Sequence, residues 1–122
     1  MALSLIDAVP ALLAGCAVFV KPSEVTPRFV APLKRAVADV PELAAVFDIA
    51  AGDGRTGAAL IGQVDAVCFT GSVATGRKVA VAAAERFIPA FLELGGKDPA
   101  IVLSSANLED AADAILRGAV VA

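Results

Sequence analysis

The sequence predicts an α/β fold: a mostly parallel sheet with helices on both faces, in a domain that is incomplete. Short apolar runs of strand character alternate along the chain with segments of helical periodicity, and that alternation argues a parallel sheet. The run Cys16 to Val20 is apolar at every position, as a strand covered on both faces is. Hydrophobic residues make up 58% of the 122 residues, with a mean hydropathy of +0.79, where roughly 45–50% is usual for a soluble domain. The excess fits a piece of a larger protein whose buried faces are met without their partners.

Ser4 to Ala14 reads as a helix, with Pro10 kinking it or starting a second turn and Gly15 ending it. Cys16-Ala17-Val18-Phe19-Val20 is the first strand, and Lys21-Pro22-Ser23-Glu24 breaks it. Thr26 is a natural N-cap with Pro27 at the first helical position. Val30, Leu33 and Val37 follow at helical spacing, Lys34 and Arg35 face out, and Pro41 closes the segment. The second strand, Val46 to Ala51, runs into Gly52-Asp53-Gly54-Arg55-Thr56-Gly57 and a short helix over Ala58 to Ile61. The third, Asp65 to Phe69, ends in Thr70-Gly71-Ser72. The helix beyond it carries Val73, Gly76, Ala80, Ala83 and Phe87 on one stripe. Ile88 to Leu94 is the fourth strand and Ala100 to Leu103 the fifth. Asn107 caps the last helix, whose first turn holds Glu109 and Asp110, favourable against the helix dipole. No internal repeat or linker divides the chain.

Several function classes fall away on composition. The net charge is −3 with ten scattered Lys and Arg, so no nucleic acid is expected as a partner. The longest apolar stretch, Leu5 to Val20, is interrupted by Asp7 and Pro10. It is shorter than the roughly 20 residues a membrane span needs. Met1-Ala2-Leu3-Ser4 carries no basic residue, against a signal peptide. Cys16 and Cys68 lie in apolar runs and read as buried free thiols of a reducing, cytoplasmic setting. Histidine is absent, which excludes His-based metal sites and Ser-His-Asp or Cys-His catalysis within this chain.

Four stretches carry chemistry. In Phe91-Leu92-Glu93-Leu94-Gly95-Gly96-Lys97-Asp98-Pro99, strand alternation puts Phe91 and Glu93 on one face and Leu92 and Leu94 on the other. A half-buried Glu has a raised pKa, which suits a general base, and the two glycines admit a close approach. Alone, the stretch also reads as a strand-end Glu facing water. Gly52-x-Gly54-x-x-Gly57 fits a dinucleotide fingerprint between a strand and a helix. Arg77 and Lys78 stand where the acidic ribose ligand belongs, so alone it reads equally well as a Gly-rich turn. Phe69-Thr70-Gly71-Ser72 sets a hydroxyl at a helix N-terminus, where a phosphate is favoured, although an N-cap alone explains Ser72. Lys21-Pro22-Ser23-Glu24 follows a strand's C-terminal end, where open α/β sheets bind ligands. Its Lys and Glu could grip ribose hydroxyls, or simply line a surface turn.

Together, these motifs in this order and spacing, with Pro10-Ala11-Leu12-Leu13-Ala14-Gly15 ahead of them, resemble the aldehyde dehydrogenase superfamily. The likeness covers essentially all 122 residues and matches the central part of that family's Rossmann-like cofactor-binding domain. It implies oxidation of an aldehyde to a carboxylic acid, with NAD, or alternatively NADP, accepting the hydride. A Cys thiolate attacks the aldehyde and water hydrolyses the resulting thioester. By position, Glu93 is similar to the family's general base. Leu94 and Gly95 match residues against the nicotinamide end, and Lys21 and Glu24, with Ser23 between them, match the adenosine-ribose contacts. Thr70, Gly71, Ser72 and Gly76 match the pyrophosphate turn and the helix start. Gly52 and Gly57 complete the expected cofactor set; the family relies on them less, which accounts for the missing acidic residue.

The resemblance also implies absences. The family's nucleophilic Cys lies further beyond the Glu than this chain extends, and its oxyanion-stabilising Asn belongs just before Met1. The catalytic and oligomerising parts have no counterpart here. The expectation is therefore a fragment of an aldehyde dehydrogenase, inactive alone, whose intact form is a homo-oligomer acting on a small-molecule aldehyde. The alternatives are a non-catalytic nucleotide-binding remnant and an interaction module whose apolar surface seeks a partner.

Overall fold

The computed structural model describes residues 4–97 and 99–121. Its elements are α1 (Ala8–Leu13), β1 (Val18–Val20), a 3-10 turn (Pro27–Phe29), α2 (Val30–Ala38), α3 (Pro41–Ala44), β2 (Phe47–Ile49), α4 (Gly54–Ile61), β3 (Val67–Gly71), α5 (Val73–Glu85), β4 (Ala90–Leu94) and α6 (Leu108–Val121). The fold is α/β and both ladders are parallel, as the alternation predicts. β1 pairs with β2 from Val18–Phe47 to Val20–Ile49, and β3 with β4 from Val67–Ala90 to Gly71–Leu94. Among the described residues these are two separate two-stranded sheets.

The core lies around the first ladder. Ala8, Val30, Val37, Phe47 and Ile49 are buried together, with Leu5, Leu12, Val18, Val20, Phe29, Leu33 and Leu43 packed against them. The stripe Val30, Leu33 and Val37 thus meets β2 as its spacing predicts. Around the second ladder Ile61, Val79 and Ala83 are buried. Gly15 has φ +85° and ends the first helical segment in the left-handed conformation glycine tolerates. Pro10 sits in the first turn of α1, where its missing N–H has no intrahelical acceptor to lose.

Several expectations are corrected. The apolar runs predicted strands buried on both faces, but burial alternates. Val18 and Val20 are half-buried and Phe19 exposed; in β4, Leu92 and Leu94 are half-buried and Phe91 and Glu93 exposed. α5 covers one face of the second ladder and leaves the other open. Both cysteines are exposed: Cys68 by that alternation, opposite the exposed Phe91, and Cys16 because it precedes β1 outside the ladder. Ala100 to Leu103 form no strand. No described strand runs alongside to take their backbone hydrogen bonds, and Ile101 is 84% exposed. Thr26 makes no side-chain cap bond, and Pro27 opens a 3-10 turn. Pro41 begins α3 instead of only closing α2.

Phe87 leaves the predicted stripe altogether: it has φ +56° and is 98% exposed. α5 ends there in a Schellman motif, with Ile88 N–H donating to Ala83 O at 3.1 Å and Phe87 N–H to Ala84 O at 3.0 Å, and the left-handed residue such a motif requires is here a Phe.

Candidate functional site

Each stretch singled out in the sequence follows the C-terminal end of a strand: Lys21 after β1, Gly52 after β2, Ser72 after β3 and Gly95 after β4. Parallel strands put those ends on the same side of a ladder, where open α/β folds hold ligands.

Lys21 organises the first group. Its Nζ donates to Gly52 O at 2.9 Å and to Glu24 Oε2 at 3.3 Å, tying the end of β1 to the loop beyond β2. The side chain is 18% exposed, and its stem passes over Gly57, where a Cβ would lie 3.7 Å from Cδ. Pro22 is buried and holds the turn. Ser23 Oγ accepts from Val25 N–H at 3.3 Å, so it shapes the turn and touches neither Lys21 nor Glu24 by a hydrogen bond. Glu24 is exposed; its own backbone N–H, then Lys21, hold its carboxyl below the usual range.

The Gly52 to Gly57 stretch folds differently from a phosphate-cradling loop. α4 begins at Gly54, about a turn earlier than the sequence suggests, and Asp53 caps it. Asp53 Oδ1 accepts from the N–H groups of Arg55 at 2.9 Å and Thr56 at 3.3 Å, and Oδ2 from Arg55 Nε at 3.0 Å. A carboxylate already seated at a helix N-terminus repels a phosphate there. Thr56 fills the space where a Gly52 side chain would stand. Sequence reasoning passed over Asp53, although an Asp one residue ahead of a helix is a recognised signal.

The second group surrounds the start of α5. Ser72 is its N-cap: Oγ accepts from Thr75 N–H at 3.2 Å and lies 3.1 Å from Thr75 Oγ1, to which it donates. Ser72 O accepts from Gly76 N–H at 2.8 Å. The amides of Val73 and Ala74 are first-turn groups with no intrahelical acceptor. Thr70 and Gly71 end β3, and the Phe69 ring lies over Gly71, where a Cβ would come within 2.7 Å of Cζ. Thr70 is the ladder partner of Glu93 and Gly71 of Leu94. Glu93 is exposed, not half-buried as expected, because it lies on the open face. Leu94 points the other way, into the space left by Gly76. Gly95 follows β4 with nothing near where its side chain would be, and Asp98 of the same stretch lies outside the described residues.

Among the described residues no cluster of three or more metal-ligating side chains occurs, and no helix is long and apolar enough to cross a membrane. Partial burial, then the charge of Asp7, pushes the Cys68 thiol up, away from the thiolate a nucleophile needs.

Three exposed carboxyls are held below their ordinary values. Arg55 and the backbone amides hold Asp53 below its ordinary value, the Ile49 amide and Lys34 do the same for Asp48, and Glu24 is lowered as above. A depressed carboxyl stabilises the folded state above its unfolded pKa and loses that contribution as pH falls through its folded one. Stability should therefore hold above about pH 4.5 and decline below the ordinary carboxylate range of about 3.9–4.3. Urea midpoints measured at neutral and acid pH check this, and Asp53→Asn, which keeps the cap, should flatten the decline.

The aldehyde dehydrogenase family model matches residues 1–122. PutA of Anabaena variabilis, assigned as an aldehyde dehydrogenase, superposes with a TM-score of 0.89 at 69% identity, over 97% of this chain and 25% of its own. Lactaldehyde dehydrogenase from Escherichia coli gives 0.82 at 40% identity, over 91% and 24%. A betaine aldehyde dehydrogenase double mutant from Staphylococcus aureus, solved with NAD+, gives 0.75 at 35% identity, over 92% and 23%. The chain spans about a quarter of the length of each. The family model spans the whole sequence and the structural matches more than nine-tenths of it, and the chain belongs to the aldehyde dehydrogenase family.

Proposed function

We propose that this chain forms the cofactor-binding part of a cytoplasmic enzyme that oxidises an aldehyde to a carboxylic acid, with Glu93 as its general base. The observation that carries the reading is the pairing of Glu93 with Thr70 across the β3–β4 ladder. It sets an exposed carboxylate beside the turn that leads into the α5 N-terminus. The residues present fit a dinucleotide. Free amides at the start of α5 suit a pyrophosphate, and Glu24 and Lys21 offer an acceptor and a donor to a ribose diol. NAD, when bound, supplies the hydride acceptor. Glu93 takes the proton of a water that attacks the acyl carbon, and its open position leaves room for that water. The thiolate nucleophile is assigned to neither cysteine here: Cys68 is disfavoured as a thiolate, and Cys16 lies ahead of β1, far along the chain from the strand that carries Glu93. The intact enzyme is taken to be a homo-oligomer.

The purified chain should bind NAD weakly and produce no NADH from a panel of aldehydes. Nucleophilic attack needs an activated thiolate and positioned oxyanion donors, which the site described above does not contain. Failure to bind NAD would overturn the cofactor reading, and cysteine-dependent turnover would overturn the placing of the nucleophile.

NAD should be preferred to NADP. The Glu24 carboxylate accepts hydrogen bonds from ribose hydroxyls and repels a 2′-phosphate. Comparable catalytic efficiency with both cofactors, in an enzyme carrying this segment at full family length, would count against it.

A further inference from the structure

Gly76 and Leu94 meet at the α5–β4 interface in a way that joins the two ends of the site. Gly76 is buried in the first turn of α5. A side chain there would overlap Leu94 Cδ2 and lie 2.9 Å from Cδ1, so the leucine occupies the space the glycine leaves. Leu94 is also the ladder partner of Gly71 and the peptide neighbour of Glu93. Ser72 holds the same helical turn through its 2.8 Å bond from Gly76 N–H. One isobutyl group therefore stands between the turn that carries Ser72 and the strand that carries Glu93. Close-packed contacts of this kind pass displacements on, because they hold no spare volume to absorb them.

We infer that Leu94 is a positioning residue that couples the first turn of α5 to Glu93: a ligand drawing that turn toward its phosphates shifts the Leu94 side chain and, with it, the end of β4. The inference rests on the proposed phosphate site at the start of α5. It gives Leu94 a role that needs no contact with the cofactor, since its side chain is turned to the helix. Binding at the phosphate end is then registered at the base.

ADP tests this on the 122-residue chain, because it carries the adenosine and both phosphates but no nicotinamide that could reach Glu93 directly. Backbone amides are followed by NMR. The Val73 and Ala74 amides should shift on titration, and the Glu93 amide should shift with the same midpoint. Leu94→Ala should keep the Val73 and Ala74 response and lose that of Glu93. Leu94→Met, which nearly conserves volume, should restore it. Should Leu94→Ala unfold, Leu94→Val shortens the same contact and carries the comparison. A Glu93 response that persists without the leucine, fails to return with Met, or is absent from the unmodified chain while Val73 responds overturns the coupling alone. Silence at Val73 and Ala74 overturns the phosphate site and the coupling with it.

Discussion

Glu93→Gln, in an enzyme carrying this segment at full family length, should slow turnover by about 10²–10⁴-fold, the usual cost of losing a general base, while NAD affinity stays nearly unchanged. Gln keeps the shape and hydrogen-bonding reach of the side chain but cannot take a proton. Glu93 lies exposed on the open face of β4, so the substitution buries no amide and opens no cavity, and the fold should tolerate it. Ser72, the α5 amides, Lys21 and Glu24 are untouched, which is why cofactor binding should persist. Single-turnover kinetics separate the steps: hydride transfer should survive better than release of the acid. Unchanged turnover across pH would reduce Glu93 to a strand-end residue facing water.

Ile49→Ala should cost about 2–5 kcal/mol, the range for truncating a buried aliphatic side chain. Ile49 is 1% exposed and is the one large side chain that is fully buried among the described residues. It sits in β2 opposite Val20 and packs in the cluster formed with Phe47, Val30 and Val37. A domain's whole stability is about 5–15 kcal/mol, so the loss removes a large share of it. The linear dependence of unfolding on urea measures it. Two controls bracket the effect: Ile49→Val should cost about 0.5–1.5 kcal/mol, and Phe87→Ala, at a ring 98% exposed, about 0.5 or less. Equal losses at Ile49 and Phe87 would mean that the core lies elsewhere.

The order of helices and strands was legible because it rests on local signals: the Val30, Leu33 and Val37 spacing, the Asn107 cap, which accepts from Glu109 and Asp110 N–H at 2.9 and 3.4 Å, and Ser72 ahead of α5. The site stretches were legible for the same reason, since each sits where a strand ends. What escaped depends on neighbours. Whether an apolar run is covered on one face or two is a property of the layers beside it, so Cys68 was misjudged as buried. Ala100 to Leu103 has strand composition but pairs with no described strand. Phe87 fitted the helical period, and only the hydrogen bonds of the helix terminus reveal that the chain has already turned away. Glu93 was legible as a residue and not as an environment, because its exposure follows from which face α5 happens to cover.

The two ladders have a consequence for the order in which the molecule can be made. The first is closed entirely by residues between Val18 and Ile49, and the second by residues between Val67 and Leu94. Neither interval overlaps the other, and no strand of one waits for a strand of the other. A growing chain therefore holds everything its first ladder needs, core included, once residue 49 has been added, ahead of the second strand pair. Within this segment, assembly can proceed in two steps, the first ladder ahead of the second, and the Lys21 bond to Gly52 comes into being in the first of them. The ribose end of the proposed site thus needs nothing from the strand that bears Glu93 in order to form.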